Sequence, residues 1–441
     1  MAYAFAQFVL IIWLPVVLAM FLVLRPRQAV VWSILIGWLM LPMTGFTLPG
    51  LPDYTKMSAT CLGILLGAAL FDPNTLLRFR PRWADLPFVV FCLCPFLSSL
   101  TNGLGAYDGV SASLRQVVTW GLPYLVGRAY FSTADGIREL ARGLVIGGLL
   151  YVPLCLYEIR MSPQLHTMIY GFHQHSFSQS FRMGGWRPTV FMQHGLMVGL
   201  WMCMTALIAI WLWRTGALRG LWGFPMSMLA SLLAIVAILC KSTGAWLLLA
   251  LGLITLLVPN RYVRIGFMLL LVSTPTAYYA LRLPQIVSAD TVISMVRPFF
   301  NDHRVESLRT RVVNEDRLSE HALNRPVLGW GGWGRNRVKN EQGRDITITD
   351  GYWIIIFGVN GLVGLGAFTL AFSYPGYVVL RKIPPEAWHH DWVPAFVGLT
   401  TVVLLFQIDC ILNAMINPVY TLILGSLTGV AGIIRPATRT T

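Results

Sequence analysis

Hydrophobic runs of roughly 15 to 25 residues, set apart by short polar connections, recur along almost the whole of this chain. A run of that length crosses a bilayer as helix, which rises about 1.5 Å per residue. The pattern predicts spans over residues 5–24, 28–46, 57–71, 86–100, 114–131, 143–158, 191–213, 222–240, 244–258, 265–281, 351–378, 393–412 and 418–434. The expected fold class is therefore all-α, a polytopic integral membrane bundle of about 12–13 transmembrane helices. The run at 351–378 is long enough to tilt or break.

Two longer polar segments interrupt the pattern, at 159–190 and 282–350. The second holds eleven of the 33 Lys/Arg and nine of the 19 Asp/Glu of the chain. Within it, Val305, Leu308, Val312 and Ala322/Leu323 recur at close to helical spacing among Arg and Glu, and the pattern stops at Asn324-Arg325-Pro326, as a helix does before proline. This predicts an amphipathic helix on the outer membrane face. The glycine- and tryptophan-rich stretch 328–334 follows. No internal repeat is visible. We divide the chain into N-terminal helices (1–158), a membrane domain with both external loops (159–434) and a cytoplasmic tail (435–441).

Composition narrows the class. The 441 residues are 56% hydrophobic and 12% charged, against about 25% charged in soluble domains. The net charge of +14 does not imply nucleic acid, because most cations flank apolar runs. Alternate connections are basic (Arg25/Arg27, Arg78/Arg80/Arg82, Arg128/Arg138/Arg142, Arg214/Arg219, Arg261/Arg264, Arg381/Lys382, Arg435/Arg439). This positive-inside pattern puts the C-terminus in the cytoplasm and both polar loops outside. Thirteen spans leave the N-terminus outside, and one fewer moves it inside. The seven cysteines lie almost entirely in apolar runs and read as buried hydrophobes. The first run lacks the basic start and cleavage site of a signal peptide.

Against that charge rule, several arginines stand on the outer face. Arg182 and Arg187 precede the span near Phe191, and Arg309 and Arg311 lie on the loop helix. Guanidinium forks suit phosphate oxygens and never titrate away, although such cations also snorkel to lipid phosphates or pair with neighbouring carboxylates. Asp350 stands where the polar loop meets a span, as a catalytic carboxylate or as a helix N-cap. Lys241 interrupts an apolar stretch, and an ionisable residue at membrane depth is a functional candidate. His194 opens a span close to Arg187. Asp409, Asn413 and Asn417 share a helix face if that span continues to Pro418. His173 and His175 lack nearby acidic or cysteine partners, so no metal is expected.

The order of these features resembles the bacterial O-antigen ligase and polysaccharide polymerase family. The resemblance rests on FRMGGWRPTVFMQHG in the first external loop, Lys241-Ser242-Thr243-Gly244 between two spans, NRPVLGWGGWG ending the second loop, and TDGYWIIIFGVNGLVGLG opening the next span. It covers residues 170–370. The resemblance implies metal- and cofactor-independent transfer of a glycan from an undecaprenyl-diphosphate carrier to a glycan or lipid acceptor, on the periplasmic side of the bacterial inner membrane. It further implies that Arg182, Arg187, Arg309 and Arg311 bind the diphosphate, that Asp350 serves the acceptor, and that Lys241 and His194 are further candidates for substrate contact. Two departures stand out. The ligases carry histidine where this chain has Asp350, which favours polymerisation of repeat units over ligation, and Lys241 precedes Ser242 where arginine usually follows serine. A chain-length regulator is a possible partner of a polymerase. The alternative from another class is a transporter of the lipid-linked saccharide.

Overall fold

A computed structural model describes residues 2–48, 52–299 and 302–434; the tail 435–441 lies outside the described residues. The chain is an all-α polytopic bundle. Its N-terminal half comprises α1 (Ala2–Val23), α2 (Pro26–Met40), α3 (Lys56–Phe71), the short α4 (Pro73–Leu77), α5 (Leu86–Thr101), α6 (Ala106–Gln116), α7 (Leu122–Tyr130) and α8 (Ala134–Met161). After the six-residue α9 (Leu165–Tyr170) come α10 (Gly195–Arg214), α11 (Met226–Leu239), α12 (Thr243–Leu257) and α13 (Arg261–Arg282). The second polar segment forms α14 (Ala289–Val296) and α15 (Asp302–Leu323), followed by α16 (Tyr352–Lys382), α17 (Val393–Leu412) and α18 (Pro418–Ala431).

Each expected span contains helix, but the run at 28–46 is helical only to Met40, and Gly45–Phe46 pairs as a short strand with Tyr54–Thr55. Among the described residues six helices are long and apolar enough to cross a membrane: α1, α5, α8, α10, α16 and α17. α3, α11, α12 and α18 are shorter apolar helices. The run at 114–131 is continuous only through a π-helical turn, Val117–Gly121, between α6 and α7. α10 is buried over almost its full length and packs against α8, α11, α12 and α17, so it forms the centre of the bundle. α8 runs through position 158 to Met161.

The long run does break. Gly361, inside α16, has φ 63° and ψ −164°, outside any helical region. Such a break exposes carbonyls and N–H groups that lipid cannot satisfy. Residues 326–331 fill the gap. Leu362 and Val363 donate to the carbonyls of Pro326 and Val327 at 2.7 and 3.1 Å, and Trp330 and Gly331 donate back to Gly358 and Val359 at 2.9 and 3.0 Å. Ser98 of α5 caps the junction by donating to the carbonyls of Leu328 (2.5 Å) and Val359 (2.7 Å). The tryptophan-glycine stretch is thus a plug that fastens the end of the 282–350 segment into the bundle. Trp330 is used internally, stacked on His321 at 4.5 Å.

A buried ionic cluster docks α15. Arg282, at the end of α13, is 2% exposed. It donates to the carbonyls of Val287 (2.6 Å) and Val312 (3.0 Å) and pairs with Glu315 (3.3 Å) and Asp316 (2.6 Å). Tyr278 and Trp353 also donate to Glu315.

Candidate functional site

The first polar loop, 159–190, is held by groups that the helices deliver to it. Glu158, fully buried near the end of α8, accepts the N–H groups of Leu165 (2.9 Å), Thr189 (2.8 Å) and Val190 (2.7 Å). Gln174 donates to the carbonyls of Val190 and Met192, and Tyr151 accepts from Phe191 N–H. Lys56, 3% exposed at the start of α3, donates to the carbonyls of Trp38 (3.0 Å) and Phe191 (2.9 Å). Val190 sits at φ 49°, a conformation that a β-branched residue adopts only when its surroundings enforce it. Sequence reasoning missed Glu158 and Lys56. Their signal was a lone charge at the edge of an apolar run.

On this platform stands a hairpin, Phe181–Arg182 with Gly185–Trp186. Its turn residues Met183 and Gly184 both have positive φ, which matches the twist of a two-residue hairpin turn. Arg187 follows, its side chain buried against Gly195, where a Cβ would come within 2.2 Å of the arginine Cδ. The Arg187 guanidinium donates to the Lys241 carbonyl at 3.1 Å, and its Nε has no partner among the described residues. Lys241, at φ 52° in the turn between α11 and α12, reaches back with its ammonium to the Met183 carbonyl at 3.4 Å. The hairpin and the Lys241 turn therefore form one basic unit.

The second polar segment, 282–350, contributes Arg311. From α15 it donates to the Leu412 carbonyl (3.1 Å) and to Asn413 Oδ1 (3.3 Å), and it lies 3.9 Å from the Asp350 carboxylate. Burial, with the positive charges of Arg182 and Arg311, holds the Arg187 guanidinium down at about 10, still fully protonated at neutral pH. Burial first, then His175, Arg187, Arg182 and Arg311, push His194 down to about 3. The charge of Arg182, five residues away, and that of Arg311, more than a hundred residues further along the chain, both act on Arg187.

The other candidates divide. His194 is the N-cap of α10: Nδ1 accepts from Leu196 N–H at 3.0 Å and Nε2 meets Gln179 Oε1 at 3.1 Å. Both ring nitrogens are engaged inside the protein, and the ring stacks edge-on against His175. Arg309 is half-exposed and pairs with Asp290 of α14 at 3.7 Å. It lies on the other side of α15, since two helical residues are separated by about 200°. Asp350 does not cap α16, whose N-cap is Gly351, so its carboxylate is left to Arg311 and solvent. The shared face expected for Asp409, Asn413 and Asn417 ends early. α17 stops at Leu412, Asn413 donates to Asp409 at 2.8 Å, and Asn417 separately caps α18 through Val419 N–H. Among the described residues no three His, Cys, Asp or Glu side chains gather as metal ligands.

The resulting arrangement is a set of fixed cations, partly desolvated, beside one accessible carboxylate. Mutually repelling charges held this way favour an anion between them. Neither a protein-family model nor a curated protein matches the chain.

Proposed function

We propose that this chain is a membrane glycosyltransferase of the O-antigen ligase and polymerase type, extending a glycan carried on a polyprenyl diphosphate at the outer face of the bacterial inner membrane. The observation that carries this reading is Arg311, held against Leu412 and Asn413 and lying 3.9 Å from the Asp350 carboxylate. The acceptor hydroxyl attacks the anomeric carbon, the bond to the diphosphate breaks, and the diphosphate departs with the electron pair. Arg182, Arg187 and Arg311 neutralise that leaving group. Asp350 takes the hydroxyl proton, a step typically worth about 10²–10⁴-fold in rate. Lys241 holds the hairpin that carries Arg182.

Polymerisation is favoured over ligation by the carboxylate at position 350 in place of the ligase histidine. The test is the glycan profile of a strain lacking the protein, with carrier-linked and surface-linked material separated and sized. Single repeat units where the parent makes long chains support polymerisation. Long chains stranded on the carrier mean ligation. Material retained on the cytoplasmic side means transport, and overturns the catalytic reading.

A further inference from the structure

A cavity of about 1050 Å³ lies away from the site described above. α8 connects the two: Arg138 and Arg142 at its start line the cavity, and Glu158 at its other end holds the outer loop. Twenty helical residues separate Arg138 from Glu158, about 30 Å, which is the thickness of a bilayer's hydrocarbon core. The cavity therefore opens on the opposite membrane face.

Eight arginines line it, against three carboxylates, Asp72, Glu139 and Asp391. Four of the eight are engaged. Arg128 is buried and tied to Asp85 at 3.0 Å, Arg138 pairs with Asp135 and Asp391, Arg27 donates to Thr133, and Arg82 donates to the Gly429 carbonyl. The other four, Arg25, Arg78, Arg80 and Arg142, make no side-chain hydrogen bond or ion pair among the described residues. They arrive from three separate segments of the chain: before α2, after α4 and on α8. A positive-inside excess alone places cations at helix ends. It does not make them converge on one concavity.

Leu77 and Trp83, which flank the lining stretch 78–82 in sequence, are 81% and 88% exposed. A large apolar side chain and a tryptophan left bare beside arginines suit the boundary between headgroups and acyl chains. We infer that this cavity is a binding site for the phosphate headgroup of an anionic lipid, held by Arg25, Arg78, Arg80 and Arg142 at the face opposite the glycan-transfer site. The inference holds whatever reaction the outer face performs.

The experiment uses the full chain in neutral detergent, titrated with short-chain phosphatidylglycerol, phosphatidylcholine or inorganic diphosphate, with binding read by native mass spectrometry and by the unfolding midpoint. Phosphatidylglycerol is expected to bind and raise the midpoint, and phosphatidylcholine to do neither. A basic residue near an anionic surface is worth about fivefold in affinity. The triple variant Arg78→Gln/Arg80→Gln/Arg142→Gln should therefore bind on the order of a hundredfold more weakly. The corresponding triple lysine variant keeps the charge and should retain binding, which separates a lost site from a lost fold. The control Arg261→Gln/Arg381→Gln removes two cations from connections outside the cavity and should leave binding intact. Equal binding by the triple glutamine variant and the parent, or an equal loss in the control, overturns the site. Protection by inorganic diphosphate matching that by phosphatidylglycerol overturns the lipid assignment.

Discussion

Glu158 accepts the backbone N–H of Val190 at 2.7 Å, joining the end of α8 to a left-handed residue thirty-two positions later. The same carboxylate holds Thr189 and Leu165, so one buried group sets the path of the loop that carries Arg187 and His194. A hydrogen bond to a charged acceptor contributes about 1.5–3 kcal/mol. In Glu158→Gln, the amide NH₂ would face backbone donors with nothing to offer them. We expect this variant to insert normally, yet to show faster proteolysis within 162–194 and at least a tenfold fall in glycan transfer. Unchanged cleavage in that loop would remove Glu158 from the positioning role.

The broken helix makes a second expectation. At Gly361 an added Cβ would lie 2.3 Å from the Val327 carbonyl, and at Gly329 one would lie 2.5 Å from the Val359 carbonyl carbon. Backbone is on both sides, so nothing can yield cheaply. The conformation at Gly361 alone costs other residues roughly 1–3 kcal/mol. Gly361→Ala and Gly329→Ala should each lower the unfolding midpoint of the purified protein clearly. Gly366→Ala, where the added carbon meets open space, should change stability by no more than about 0.5 kcal/mol. Equal midpoints for all three would mean that the plug carries no stability.

The helical pattern was readable because apolar runs must find helix in lipid, whatever their partners. The break in the long run was readable from length, but not its position: Gly361 is needed only because residues 326–331 come to lie against it. Lys56 and Glu158 look like the polar edges of spans, and their partners, Phe191 and Val190, are long-range. Arg309 and Arg311 were grouped by sequence proximity, although helical periodicity already puts them on opposite faces. Asp409, Asn413 and Asn417 share a face only if the helix continues to Pro418, and the sequence does not show that it ends at Leu412.

Glu315 gives the docking of α15 a pH dependence. Burial pushes its carboxyl up to about 7, against the lowering effect of Tyr278, Arg282 and Trp353. The folded protein thus binds this proton more tightly than the unfolded chain, where glutamate titrates near 4.5. The stabilisation is fully present below about pH 4.5 and is lost as pH rises through about 7. Amide exchange across residues 302–323 should quicken relative to the rest of the chain over that interval. Glu315→Gln should flatten the dependence. Arg282→Met removes one partner of a buried pair and should cost about 3–5 kcal/mol. A pH profile unaltered by Glu315→Gln would assign the titration to another group.

Arg309 and Arg311 provide the sharpest test of the proposed site. Arg311 reaches Asp350 and Asn413, whereas Arg309 is half-exposed beside Asp290 on the far side of α15. Losing a fixed group that stabilises transition-state charge typically costs about 10²–10³ in rate. Arg311→Ala and Arg187→Ala should each reduce glycan transfer by that order, measured with carrier-linked substrate in membranes containing matched amounts of protein. Arg309→Ala should stay within about threefold, because exposed ion pairs are worth only about 0–1 kcal/mol. Arg311→Lys restores charge without the fork that spans Asp350, Asn413 and an incoming phosphate, so it should recover only part of the activity. If Arg309→Ala were the more damaging variant, the leaving group would lie on the α14 side of the loop helix, and Asp350 could not be the group that takes the acceptor's proton.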